Sequence, residues 1–186
     1  MSSKNDSPNL IWVDCEMTGL DLNNDVLVEI AVLVTDSELN ILGEGVDLVI
    51  RATEDQLKGM NEFVTNMHTE SGLITEIPNG VETEKAEAEI IAYLEKYAPG
   101  AGKSPLAGNS VGTDRAFIAR DMPLLNAYLH YRTIDVSSIK ELARRWYPRI
   151  YFAAPKKTGN HRALGDIRDS IEELEYYRKA IFIPNN

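Results

Sequence analysis

Leu10-Ile11-Trp12-Val13-Asp14-Cys15-Glu16-Met17-Thr18-Gly19-Leu20 opens on four apolar residues and then sets two carboxylates one residue apart. The apolar run reads as a buried strand. Side chains alternate faces along a strand, so Asp14 and Glu16 point one way and Cys15 the other. Two like charges at the end of a buried strand repel each other and lose hydration. Such a pair persists most readily where a bound cation neutralises it, and Mg²⁺ or Mn²⁺ fits because both prefer oxygen ligands. Gly19 lets the backbone turn sharply just past the pair. Taken alone, Asp-x-Glu is equally the end of a strand in solvent.

Outward from this stretch, Val26–Asp36 is rich in β-branched residues and reads as a central strand. Asp36-Ser37-Glu38-Leu39-Asn40 is turn chemistry, and Ile41–Arg51 reads as a third strand. Short connections make these three an antiparallel meander. Glu54–Gly59 is a short helix, Asn61–Gly80 is irregular, and Thr83–Tyr97 is a helix with Ala86, Ile90, Ile91, Leu94 and Tyr97 on one side. The acids from Glu82 to Glu89 read as its solvated face.

Pro105–Asn109 is a short strand, Thr113–Arg120 a helix that Pro123 interrupts, and Arg132–Val136 another strand. Ser138-x-x-Glu141 is a capping-box signature for a helix carrying Ile139, Leu142, Ala143 and Trp146. Tyr147–Asn160 reads as a loop. The last helix, Arg162–Phe182, turns Leu164, Ile167, Ile171, Leu174 and Ile181 inward. The order predicts an α/β fold: a mixed five-stranded sheet, three antiparallel strands and then two further strands, with helices on its faces.

With 186 residues the expectation is a single domain over 10–182, with a disordered tail at 1–9 and a tail at 183–186. No apolar run reaches the length of a membrane span. Met1–Asn9 has neither an apolar core nor an Arg-rich amphipathic pattern, so no leader is expected. A single cysteine, Cys15, excludes an intramolecular disulfide and a cysteine zinc cluster, which fits a reducing cytoplasm. The net charge of −10 argues against a binder of long nucleic acid. The charge is uneven, however. Eight basic residues between Lys140 and Arg168 face only Glu141 and Asp166, as suits a small anionic ligand or a solvated basic face.

Two further stretches carry chemistry. In Gly108-Asn109-Ser110-Val111-Gly112-Thr113-Asp114, a strand ends, a glycine loop turns and Asp114 starts a helix. This is the sheet edge where ligands sit in open α/β folds, although acids also favour helix N-termini for their own reasons. In His161-Arg162-Ala163-Leu164-Gly165-Asp166, the histidine precedes a helix and Asp166 lies about one turn in. Periodicity does not choose Asp166 over Asp169.

Four acids and one histidine in this arrangement resemble the exonuclease superfamily named for its Asp-Glu-Asp-Asp carboxylates, in the branch with a histidine five residues before the last Asp. Within it the resemblance is to the oligoribonuclease family, nearly end to end from about Leu10 to Phe182. The specific stretches are Val13–Leu20, Met67–Leu73, Gly108–Gly112, His130–Ser137, Lys140–Trp146 and His161–Ile167. The resemblance implies a ribonuclease-H-like fold and 3′→5′ hydrolysis of very short RNA, dinucleotides included, to 5′-mononucleotides. Asp14, Glu16, Asp114 and Asp166 would hold two Mg²⁺ or Mn²⁺ ions, typically about 3.5–4 Å apart in such sites.

His161 would be the general base, a task that suits a side chain titrating near neutrality. Its place after Pro155, Lys156, Lys157 and Gly159 implies that it swings in with substrate. Leu20 would wedge between bases and Phe63 would stack on one, where the family commonly has tryptophan. His68, Ser110, Arg132 and Ser137 would bind the 5′ phosphate, and Tyr131 would reach the active site across a homodimer interface. Leu20, Phe63 and Tyr131 also fit a core, Ser137 a helix cap, and Arg132 and His68 surface ion pairs. Thr113 departs from the longer polar residue expected there. A dinucleotide offers few phosphates, so affinity would come from end-phosphate contacts and from stacking, about 1–3 kcal/mol per base, with little sequence preference.

Overall fold

A computed structural model describes residues 8–156, 159 and 161–182. The expected tails lie outside these residues except for Pro8 and Asn9, as does Lys157 of the segment before His161. Asn9 is tied to the body, its Nδ2 donating to the Tyr97 carbonyl at 2.7 Å.

The apolar stretch becomes β1 (Leu10–Met17), the middle strand of a five-stranded sheet in the order β3-β2-β1-β4-β5. β2 (Leu27–Thr35) and β3 (Ile41–Val49) complete the antiparallel meander. Asp36 closes the turn between them, its Oδ1 accepting from the Glu38 and Asn40 amides at 2.8 and 2.9 Å. β4 (Leu106–Gly108) and β5 (Thr133–Asp135) run parallel to β1. The expected mixed sheet is therefore the one found. Gly108 allows β4 to approach β1, since a Cβ there would stand 2.8 Å from the Val13 carbonyl oxygen. Parallel pairing brings the C-terminal ends of β1, β4 and β5 to one edge, where open sheets hold their ligands.

The helices are α1 (Glu54–Lys58), α2 (Glu62–Glu70), α3 (Leu73–Glu76), α4 (Thr83–Tyr97), α5 (Gly112–Asp121), α6 (Pro123–Tyr128), α7 (Val136–Trp146), α8 (Pro148–Phe152) and α9 (Ala163–Ile181). Alternation along β1 sends Ile11, Val13 and Cys15 into one core with Ile90 and Leu94 of α4 and Phe117 and Ile118 of α5. Trp12 goes into the other, with Val136 of α7 and Ile167, Ile171 and Leu174 of α9. Each such apolar side chain contributes about 1.5–3 kcal/mol by burial. Among the described residues no helix is long and apolar enough to cross a membrane.

Four local expectations are corrected. Asn61–Gly80 is not irregular: Asn61 caps α2 by accepting from Val64 N at 3.0 Å, and α3 and a 3₁₀ turn (Ile77–Asn79) follow. That helix buries only His68, so it shows no apolar stripe to read. The capping box at Ser138 and Glu141 does not form. Asp135 caps α7 three residues earlier through Ser137 N at 2.9 Å, while Glu141 pairs with Arg144 and Arg145. The Tyr147–Asn160 loop contains α8, with Pro148 at its first position, where a missing N–H costs nothing. Within the acid run, Glu87 is buried and its Oε1 accepts from Leu125 N at 2.9 Å.

Candidate active site

Asp14 and Glu16 leave β1 on the side that α9 covers, and α9 brings Asp166 over them. One carboxylate oxygen from each of the three lies within 4.8 Å of the others. Asp166, and not Asp169, joins the group, which decides what periodicity left open. A register shift follows at once, because Glu16 stands opposite Glu29 whereas Met17 stands opposite Leu27. Such a bulge bends the strand and re-aims what it carries.

Asp114 and His161 lie outside this tight group. Asp114, in the first turn of α5, reaches the same edge from the other face, and its Oδ1 accepts from the Cys15 amide at 2.9 Å. His161 is exposed, with φ at +49°.

Burial leaves these acids short of positive charge. Glu16 is pushed up to about 8, first by desolvation and then by Glu29, Asp166 and Asp114, with Arg162 only partly opposing. Asp114 is pushed up to about 6 by burial, against hydrogen bonds from its own amide and that of Cys15. Burial, then Asp114 and Asp14, holds the Cys15 thiol proton well above its usual range, so Cys15 is a core residue and no nucleophile. All the donors are hard oxygens, and the buried ones resist ionising without a cation. That donor set fits a divalent ion.

The remaining sequence-derived residues divide by exposure. Leu20, Phe63 and Tyr131 are 75%, 74% and 73% exposed, so none is core. Tyr131 lies against His130 and beneath the Arg132 guanidinium. Ser110 and Ser137 sit together, Oγ to Oγ at 3.1 Å, and both amides donate to Asp135 Oδ1 at 2.9 Å. Asn109 Oδ1 accepts from Ser137 Oγ, while its Nδ2 donates to Ser170 and Glu173. Ser137 is therefore not the helix cap.

His68 is fully buried. Its Nε2 donates to the Met17 carbonyl at 2.9 Å, and its Nδ1, with no hydrogen-bond partner, stands 4.0 Å from Glu16 Oε2. A carbonyl only accepts, so Nε2 carries the proton.

Sequence reasoning missed Glu29, Arg162 and Glu76. Glu29 has no exposed surface; it accepts from Arg162 Nε at 2.7 Å and from Ala163 N at 3.1 Å. The other end of the Arg162 fork holds Glu76 at 2.9 and 3.1 Å. The available signal was a lone acid inside the apolar run Val26–Val34.

The sequence model of the exonuclease family matches residues 11–174, which take in all four acids and His161. Over 175 residues the chain is 62% identical to the oligoribonuclease of Streptomyces coelicolor, covering 94% of this chain and 88% of that one. The chain belongs to the oligoribonuclease family. It is a hydrolase, a 3′→5′ exoribonuclease. The oligoribonuclease of Cutibacterium acnes is 57% identical over 176 residues, covering 95% of this chain and 87% of that protein. In structure the chain resembles Escherichia coli exonuclease I in its zinc-bound complex with single-stranded DNA. The TM-score is 0.72 at 16% identity over 94% of this chain and 41% of that one, a likeness of fold.

Proposed function

We propose that this oligoribonuclease-family chain, acting as one domain over residues 10–182 in the cytoplasm, hydrolyses dinucleotides and other very short RNA to 5′-mononucleotides. The observation that carries this is the Asp14–Glu16–Asp166 cluster, its oxygens within 4.8 Å, on the sheet edge that also bears the Ser110–Ser137 pair. Asp14, Glu16, Asp114 and Asp166 hold two Mg²⁺ or Mn²⁺ ions. When bound, the ions polarise the scissile phosphodiester, lower the pKa of the attacking water and stabilise charge in the in-line displacement. His161 takes the water's proton on a ring nitrogen. Its exposure leaves it free to approach a substrate lying over the acids.

Leu20 enters between the two bases and Phe63 stacks on one, and their exposure supports both roles. Ser110, Ser137 and Arg132 receive the 5′ phosphate. His68 joins them through Nδ1, which has no hydrogen-bond partner while Nε2–H is committed to the Met17 carbonyl. A homodimer brings Tyr131 to the partner's site. The exposed Tyr131, Leu142, Trp146 and Phe152 are the apolar surface that such a contact would cover.

The test is turnover of a 5′-phosphorylated ribodinucleotide beside a long RNA, with Mg²⁺. Rapid cleavage of the dinucleotide and slow cleavage of the long RNA are expected. Faster cleavage of the long RNA would keep the carboxylate site and discard the phosphate-capped pocket.

A further inference from the structure

We propose that Arg162, forked between Glu29 and Glu76, is the positioning residue that fixes where His161 and Asp166 stand relative to the acids of β1. The proposal rests on the reading of His161 as the base and of Asp166 as a cation ligand.

The two residues flank Arg162 on either side. His161 immediately precedes it, and Asp166 lies one turn beyond, its amide donating to the Arg162 carbonyl at 3.0 Å. Whatever holds Arg162 therefore sets the origin of both. The hold is unusually complete. Nε and the Ala163 amide both end on the Glu29 carboxylate, which is wholly buried in the sheet and stands opposite Glu16 in register. The other two guanidinium nitrogens end on the carboxylate of Glu76 in α3. α9 has no capping side chain of its own, and Glu29, 134 residues away, takes that place. A planar fork with fixed donors suits this bridge, and a lysine ammonium cannot span it.

The backbone bears the mark of the clamp. His161 adopts a left-handed φ of +49°, uncommon for a residue with a Cβ. Arg162, next in the chain, is held at its side chain by two carboxylates. Its fixed backbone is the stationary side of a joint, and the exposed imidazole is the moving side. Glu29 thus acts through Arg162 on the reaction, touching neither substrate nor cation.

Glu76 separates positioning from folding. Its side chain is 46% exposed, so Glu76→Ala costs the fold little, yet it frees the outer end of the guanidinium. We expect Glu76→Ala to lower kcat on a 5′-phosphorylated ribodinucleotide at least fivefold, with KM within twofold and the Tm little changed. Arg162→Lys should match or exceed that loss, and Glu76→Asp should recover part of it. The chain has three histidines, so imidazole NMR resonances are few enough to follow singly. In metal-free Glu76→Ala the His161 signal should shift or broaden while that of His130 stays. A kcat within twofold of wild type with an unmoved His161 signal would overturn the clamp. His161→Ala is measured beside them. If it turns over like wild type, the base reading fails first; if it is slow while Glu76→Ala is not, only the clamp fails.

Discussion

Glu16 and Glu29 face each other across two strands, both buried and one register step from the same bulge. Glu29 is met by an arginine and a helix amide from the chain itself. Glu16 is met by Asp14 and Asp166. A buried carboxylate with an internal cation needs nothing further and holds the fold. One surrounded by other carboxylates is complete only when something positive arrives from outside. Both are buried, and the supply of countercharge separates structure from site.

The largest test of this contrast is Asp14→Ala. Loss of a ligand to the reactive cations should cost more than the about 10–100-fold typical of a supporting residue, read as dinucleotide turnover with Mg²⁺. The metal-free Tm should hold or rise, because a repulsion is removed. A large fall in Tm would place Asp14 with Glu29 instead. The same logic gives a pH dependence. Glu16 holds its proton in the fold up to about 8 but only to its ordinary 4.5 when unfolded. Between those values the folded state binds more protons, so metal-free stability falls as pH rises. Asp114 finishes its part by about 6, as does Asp47 of β3, which burial and then Glu29 likewise push up to about 6, so Glu16 is the carboxylate behind the fall from pH 6 to 8. Thermal melts should show it, with Mg²⁺ stabilising more at pH 8 than at pH 6 and Glu16→Gln flattening the slope.

Glu29→Gln should behave in the opposite way. Breaking a buried pair costs about 3 kcal/mol when the partner keeps a second carboxylate, or roughly 6–12 °C in a chain of this size. The drop should appear with and without metal. An unchanged Tm would dissolve the distinction between the two glutamates.

The division also explains what the sequence made legible. β1 and the meander were readable because apolar alternation and turn residues coincide there, and the acid pair because charge at a strand end is conspicuous. Asp166 over Asp169, by contrast, needed α9 laid across the sheet, since both acids are plausible on one helix face. α2 stayed hidden because its inward residue is a histidine. The Arg162 fork joins positions 29, 76 and 162, and no local pattern links residues that far apart. Ser138-x-x-Glu141 misled because Asp135 captured the Ser137 amide first.

A third carboxylate sharpens the comparison, with the smallest expected effect. Asp25 is satisfied neither by a guanidinium nor by an ion but by a loop. Its Oδ1 accepts from Thr18 Oγ1 at 2.9 Å and its Oδ2 from the Asp21 amide at 2.8 Å. Arg120 of α5 donates to the Leu22 and Asp25 carbonyls and ties that loop down. Leu20 rides on it, exposed and yet held. Gly19 is what lets the carboxylate in, since a Cβ there would stand 2.3 Å from Asp25 Oδ2. Gly19→Ala should therefore displace Asp25 and loosen the wedge, raising KM for the dinucleotide by about one stacking contact's lower bound, roughly fivefold for 1 kcal/mol. Its kcat should hold, because no acid of the cluster moves. In a Leu20→Ala background the same substitution should add nothing to KM. If it adds its full effect there, the loop serves the substrate by some route other than Leu20, and an acid satisfied within the chain would have acquired a direct part in binding.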